Sequence, residues 1–128
     1  RGRDGRPFPW GDDYRTGYAN INETWDDAGE CNLAQTTIVG AYPQGASSEG
    51  VVDLAGNVWE WCLNKHEHPE AIELDTSGDA RVLRGGSWYG NRDVARCGER
   101  NWNDPAERND NVGFRLVSSG PMADAFRG

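Results

Sequence analysis

Two short apolar runs bracket a polar segment that no regular element accounts for. The first is Arg81-Val82-Leu83-Arg84-Gly85-Gly86-Ser87-Trp88 and the second is Val112-Gly113-Phe114-Arg115-Leu116-Val117. Both put β-branched and aromatic residues on one face of an extended chain, so both are expected strands. Residues 89–111 between them carry Asn91, Asn101, Asn103, Asn109 and Asn111 among arginines and acids, without an apolar period. A loop of that length in a compact domain is uncommon and tends to be functional. The fold must therefore hold out a long ordered loop on strands, and binding residues tend to sit on such loops. Arg92, Arg96, Arg100 and Arg108 recur through it. Their forked donors suit several loop carbonyls at once, so Arg96 and Arg100 are expected to bond the loop into its frame. That leaves Tyr89, Asn91, Asp93, Glu99, Asn101 and Trp102 as the exposed contact set.

Composition limits what can surround this stretch. A chain of 128 residues with 36% hydrophobic content makes one domain at most, with a small core. Seventeen glycines and six prolines favour turns over long helices, and six tryptophans offset the poor aliphatic content. A net charge of −8 argues against a nucleic-acid partner, because phosphate-backbone affinity rests on a basic surface. No apolar run reaches the length of a membrane span. Cys31, Cys62 and Cys97 form no CxxC pair, which argues against zinc. Three reduced, partly buried thiols are expected, with one disulfide and a free thiol as the alternative. His66 and His68 have no third ligand at local spacing and read as exposed loop residues. The sequence does not indicate a compartment.

In chain order, residues 1–15 read as an extended segment anchored by Phe8 and Trp10, since Pro7 and Pro9 keep their neighbours out of helix. Residues 17–32 crowd Asn20, Asn22, Glu23, Asp26, Asp27 and Glu30, and the stretch by itself reads as a solvated acidic loop. Residues 36–43 read as a short strand running into a turn. A tight Gly56-Asn57 turn leads to a strand with Trp59 and Trp61 on one face and Glu60 on the other. The expectation is mostly loop with five or six short strands, ending in a frayed tail over 118–128.

GNVWEW (residues 56–61), RVLRGGSW (81–88) and NVGFRLV (111–117) carry a resemblance to the formylglycine-generating enzyme, or sulfatase-modifying factor, family. FPWGDD (8–13), YAN (18–20) and VGAYP (39–43) support it in the same order. The resemblance implies an α+β, C-type-lectin-like fold, strand-poor with long ordered loops. It implies that residues 1–117 are the C-terminal part of such a domain, with an N-terminal half expected in the full protein. Enzymes of this family oxidise a sulfatase cysteine with a copper-binding cysteine pair, since soft sulfur selects Cu(I). Laid over this chain, that pair falls on Gly90 and Ala95, which offer no ligand, so no enzyme activity of this type is expected. Iron-dependent relatives use histidines of the N-terminal half. The family's structural Ca²⁺ sites fall on Asp53, Gly56, Val58 and Glu60, and on Asn20 and Ile21; oxygen donors of this kind suit a hard cation.

The order GGSW, an Asn/Arg/Asp-rich run, then NDNVGFRLV also resembles the variable region, about 81–117, of proteins diversified by diversity-generating retroelements. Tyr89, Gly90, Asn91, Asp93, Asn101, Asn103 and Asp110 match the residues reached from asparagine codons there, whereas Trp102, Glu99 and Glu107 do not. Three functions follow. The first is a non-catalytic binding domain that meets a ligand, expected to be a protein, through Tyr89, Gly90, Asn91, Asp93, Glu99, Asn101, Trp102, Asn103 and Asp110. The second is a formylglycine-generating-type oxidase or iron-dependent relative with altered chemistry. The third is a structural domain whose loop covers the core.

Overall fold

In the computed structural model, residues 2–118 are described. The Trp-Glu-Trp and Arg-Val-Leu-Arg runs form the centre of one sheet. β1 (Trp59–Lys65) and β2 (Arg81–Arg84) pair antiparallel, with Glu60 opposite Arg84 and Trp61 opposite Leu83, and the register shifts before Lys65 meets Arg81. β3 (Arg100–Asn103) lies antiparallel on β2, and β4 (Val112–Gly113) lies parallel on β1, giving the order β3-β2-β1-β4. Val82 and Leu83 are both buried, so β2 is covered on both faces. Trp59 is buried while Glu60 turns to Arg115, the alternation expected of a strand.

The sheet differs from the sequence expectation in four places. Of the closing run, residues 112–117, only Val112–Gly113 is strand, and Phe114, Leu116 and Val117 lie exposed beyond it. Residues 100–103, read as loop, form β3; a strand of Arg, Asn, Trp and Asn shows no apolar alternation, and its pairing with β2 decides its state. Residues 36–43 are not a strand. Gly40 has φ 82° inside a turn in which Ala41 N–H donates to Ile38 O, and Ile38 and Val39 are exposed. The described residues hold four strands rather than five or six, plus isolated bridges at Phe8–Gly11 and Asn20–Gly56. Their helical content is three 3-10 turns, at Glu23–Asp26, Pro43–Gly45 and Arg92–Ala95. The expected tail falls, from residue 119 onward, outside the described residues.

The core lies between the N-terminal segment and the long loop. Phe8, Ala19, Ile21, Ala55 and Ala95 pack together, with Trp10 and Tyr14 against them. Phe8 and Trp10 stack with centroids 5.3 Å apart, and Tyr14 meets both edge-on. Ala95 thus pins the loop from beneath. The Gly56-Asn57 turn is stitched to the neighbouring chain: Asn57 N–H donates to Asn20 O at 2.9 Å, and Gly56, at φ 77°, approaches so closely that a Cβ would lie 2.6 Å from that same oxygen. Only glycine meets both demands.

Candidate ligand-binding site on the long loop

The site is built on the turn that follows β2. Gly86, at φ 74°, brings the chain so close to Val94 that a Cβ would lie 2.6 Å from the Val94 carbonyl oxygen. Ser87 behind it is buried, and its hydroxyl accepts from Tyr89 N–H and Asn111 Nδ2, both at 3.3 Å. These bonds tie the start of the loop to its end. Asn91 then caps the Arg92–Ala95 turn, its side-chain oxygen accepting from Asp93 N–H at 3.1 Å. Asn91 is therefore a structural cap as well as a surface residue, which the sequence reading did not foresee.

The loop is also joined to residues 17–32. Asn22 N–H donates to Gly90 O at 2.8 Å, and Arg92 Nε lies 3.0 Å from the Asp26 carboxylate. This union brings Trp25 against Tyr89, edge to face, with centroids 5.8 Å apart. Trp25 is 59% exposed and Tyr89 61%, so the pair stands at the surface. Beside it lies a pocket of about 360 Å³ whose lining includes Trp25, Ser87, Tyr89, Gly90, Asn91 and Asn101. Apart from the Tyr89 phenol, no ionisable side chain lines it.

Of the expected contact residues, Tyr89, Gly90, Asn91 and Asn101 come together here. The others stand elsewhere. Asp93 is exposed and pairs with Arg96 at 3.5 Å. Glu99 and Asp110 are exposed, and Asn103 sits opposite Arg81 in the sheet. Trp102 is half-exposed on the edge strand β3, its ring 5.5 Å from that of His66. That contact corrects the reading of His66 as an exposed loop residue: it follows β1 directly, is half-buried, and has a buried Nδ1 without a partner among the described residues. His68 is exposed, as expected.

The arginines divide differently from expectation. Arg96 is exposed and its one ion pair among the described residues is with Asp93, while Arg100 is exposed at the end of β3. Arg84, on β2, holds the loop instead: its Nη1 donates to the carbonyls of Cys97, Gly98 and Glu99 at 3.2–3.4 Å. Its place at the end of an apolar run, just before two glycines, was the available signal. Glu23 was also missed. It is fully buried, and its carboxylate accepts from Tyr14 Oη at 2.6 Å, Gly17 N–H at 2.7 Å and Cys31 N–H at 3.2 Å. Burial, and then the bond to Glu23, push the Tyr14 phenol well above its ordinary range. The loop read as solvated and acidic is thus organised around one internal carboxylate, and nothing in its composition marks which one.

The residues expected to hold Ca²⁺ fit unequally. Asn20 is buried and its Oδ1 has no partner among the described residues, an acceptor suited to a hard cation. At the Asp53–Glu60 turn, both Glu60 oxygens are held by Arg115, whose guanidinium also bonds the Val52 and Asp53 carbonyls. Asp53 Oδ2 accepts from Gly40 N–H at 2.7 Å. A guanidinium already supplies the positive charge at this turn. Cys31, Cys62 and Cys97 are half-buried and unpaired, and burial raises the Cys62 thiol above its ordinary value.

Residues 1–119 match the sulfatase-modifying factor enzyme 1-like domain. The chain belongs to this family. Among its relatives, a hercynine oxygenase of Mycolicibacterium thermoresistibile is 37% identical over 126 residues, covering 88% of this chain and 26% of that protein. An inactive C-alpha-formylglycine-generating enzyme 2 of Mus musculus is 33% identical over 129 residues, covering 92% of this chain and 38% of that protein. The chain thus spans well under half the length of either relative. Treponema denticola variable protein 1 superposes with a TM-score of 0.58 at 31% identity, over 77% of this chain and 34% of that one. The fold is the strand-poor, C-type-lectin-like fold of the formylglycine-generating type.

Proposed function

We propose that this sulfatase-modifying-factor domain is a non-catalytic scaffold whose loop, residues 89–110, binds a protein ligand. The observation that carries the proposal is the Trp25–Tyr89 pair, two aromatic rings each more than half exposed over a pocket of neutral amides and hydroxyls. The backbone beneath them is fixed by Ser87, Asn91 and Gly90. Aromatic anchors on a fixed frame, surrounded by adaptable polar groups, are what protein-binding surfaces use. The absence of catalysis rests on positions 90 and 95. Gly90 and Ala95 carry no thiolate, Val94 packs directly against Gly90, and Ala95 belongs to the core. The likeness to an inactive formylglycine-generating relative and to a variable protein supports this reading.

Sequencing this locus in sibling isolates tests the display directly. Changes clustered between Tyr89 and Asp110 over a constant frame are expected, and a uniform spread of changes along the chain would overturn it. The likeness to hercynine oxygenases favours a second reading, in which the chain is one portion of an oxidase with altered chemistry. Formylglycine formation on a sulfatase-motif peptide, above a metal-free control, would decide for that reading.

Ca²⁺ belongs to the proposal as a structural ion. Asn20 and Ile21 would hold it at the buried amide, and at Asp53, Gly56, Val58 and Glu60 it has to displace Arg115. At about a hundred times its Kd, bound Ca²⁺ adds about 2.7 kcal/mol of stability. Chelation should therefore lower the melting temperature, and an unchanged melting temperature removes calcium from the account.

A further inference from the structure

A second cleft, away from the Trp25–Tyr89 pocket, reverses the charge of the molecule. The chain carries 21 acidic residues against 13 lysines and arginines, yet this cleft of about 380 Å³ is lined by Arg6, Arg84 and Arg96 against one carboxylate, Glu49. Segments distant in sequence meet there. The N-terminal segment is bound to the loop by Cys97 N–H donating to Pro7 O at 2.6 Å, and residues 47–54 close the other side. The wall between them is apolar, formed in part by Pro9, Val51 and Leu54. Val51 is 40% exposed and Leu54 36% exposed, although the chain has few aliphatic residues to spare.

The cations differ in how far they are neutralised. Arg6 is chelated by Asp4, with Nη2 2.7 Å from Oδ2, and Arg96 reaches Asp93 at 3.5 Å. Glu49 is turned to the Ser48 hydroxyl at 3.0 Å. Arg84 has no carboxylate partner among the described residues, and its hydrogen bonds run from Nη1 to the carbonyls of residues 97–99. Those bonds fix the guanidinium without cancelling its charge, and among the described residues Nε and Nη2 make no hydrogen bond. A positioned guanidinium fork at the edge of an apolar wall matches a carboxylate in the bidentate geometry that arginine favours. The low-dielectric wall strengthens that attraction relative to open solvent.

We propose that this cleft is a binding site for a small organic carboxylate with an apolar body, the acid group on Arg84 and Arg96 and the body against Pro9, Val51 and Leu54. The cleft is separate from the Trp25–Tyr89 pocket, with no lining residue in common, although it borrows Arg96 and Cys97 from the same loop.

Calorimetric titration of the intact chain with 4-phenylbutyrate tests the proposal, with 4-phenylbutanamide and acetate as comparators. The acid should bind in the millimolar range or better and weaken as salt is raised. The amide, which lacks the charge, should bind at least about tenfold more weakly, the scale of one charge-assisted hydrogen bond. Acetate, which lacks the body, should not bind detectably. Arg84→Gln should reduce acid affinity by about tenfold or more on the same scale. Because Arg84 also braces the loop, Arg96→Gln, a change at an exposed side chain, serves as the second variant and should weaken the acid selectively. Equal binding of acid and amide would reduce the cleft to a greasy surface and overturn the proposal. So would an affinity untouched by Arg96→Gln, or no binding of 4-phenylbutyrate at millimolar concentration.

Discussion

Glu23 and Trp25 lie two residues apart and do opposite things. Glu23 is buried with its carboxylate bonded to Tyr14, Gly17 and Cys31, whereas Trp25 stands at the surface against Tyr89. Replacing Glu23 by Gln substitutes one acceptor oxygen with a donor facing N–H and O–H groups. We expect a loss of about 1–3 kcal/mol by urea unfolding, the cost of leaving buried polar groups unpaired. Trp25→Ala should stay within about 0.5 kcal/mol, as surface changes do. Equal effects would mean that the aromatic pair is structural. The sequence showed that residues 17–32 were rich in oxygen donors but not that one of them faced inward. Burial of a charge is decided by distant partners, here Tyr14 and the backbone of Gly17, and a local reading does not see them.

At the scale of elements, the long loop is a sequence of anchored turns rather than a free span. Val94 packs against Gly90, and the Gly86 backbone passes close to the Val94 carbonyl. A methyl at position 90 has to push Val94 aside, so Gly90→Ala should cost about 1–3 kcal/mol, the range of overpacking. Gly90→Ala combined with Val94→Ala should cost less than the two single changes added, because the residues are in contact. Strict additivity in that double-mutant cycle would contradict the packing. Arg84→Ala should speed amide hydrogen exchange at residues 97–101, while Arg96→Ala should leave it unchanged. The start of the loop was legible, because RVLR carries strand composition; of the closing run over 112–117 only Val112–Gly113 is strand, and Phe114, Leu116 and Val117 lie exposed beyond it. β3 was not legible, because Arg100, Asn101 and Asn103 carry no apolar signal and the segment is a strand only through its pairing with β2. The arginine frame was anticipated in kind but assigned to the wrong residues, since spacing within a loop does not say which side chains turn inward.

The whole molecule combines a small aromatic core with apolar groups left outside it. Ile38, Val39, Phe114, Leu116 and Val117 are 73–90% exposed, and Val39 and Phe114 line one pocket; where exposed apolar groups adjoin they favour association. The net charge of −8 opposes contact between copies. Sedimentation of this chain should therefore show a monomer at low salt and growing association as salt screens the repulsion. A monomer under all conditions would show that these residues are harmless. The family and fold were legible from motifs spread along the chain, because glycine turns such as Gly56-Asn57 and Gly85-Gly86 fix backbone geometry that few sequences satisfy. Of the expected contact residues, Tyr89, Gly90, Asn91 and Asn101 line one pocket, and Trp25 joins them from a loop that shares no sequence neighbourhood with them. The central claim is a rigid frame under a tolerant surface, and the measurement that tests it most directly is a stability scan of every single substitution from 81 to 113, read by protease resistance. The account predicts intolerance at Gly86, Ser87, Gly90, Ala95 and Asn111, and tolerance at Tyr89, Asp93, Glu99, Trp102 and Asp110. Intolerance at Tyr89, Asp93 and Trp102 equal to that at Gly86 and Ser87 would contradict it.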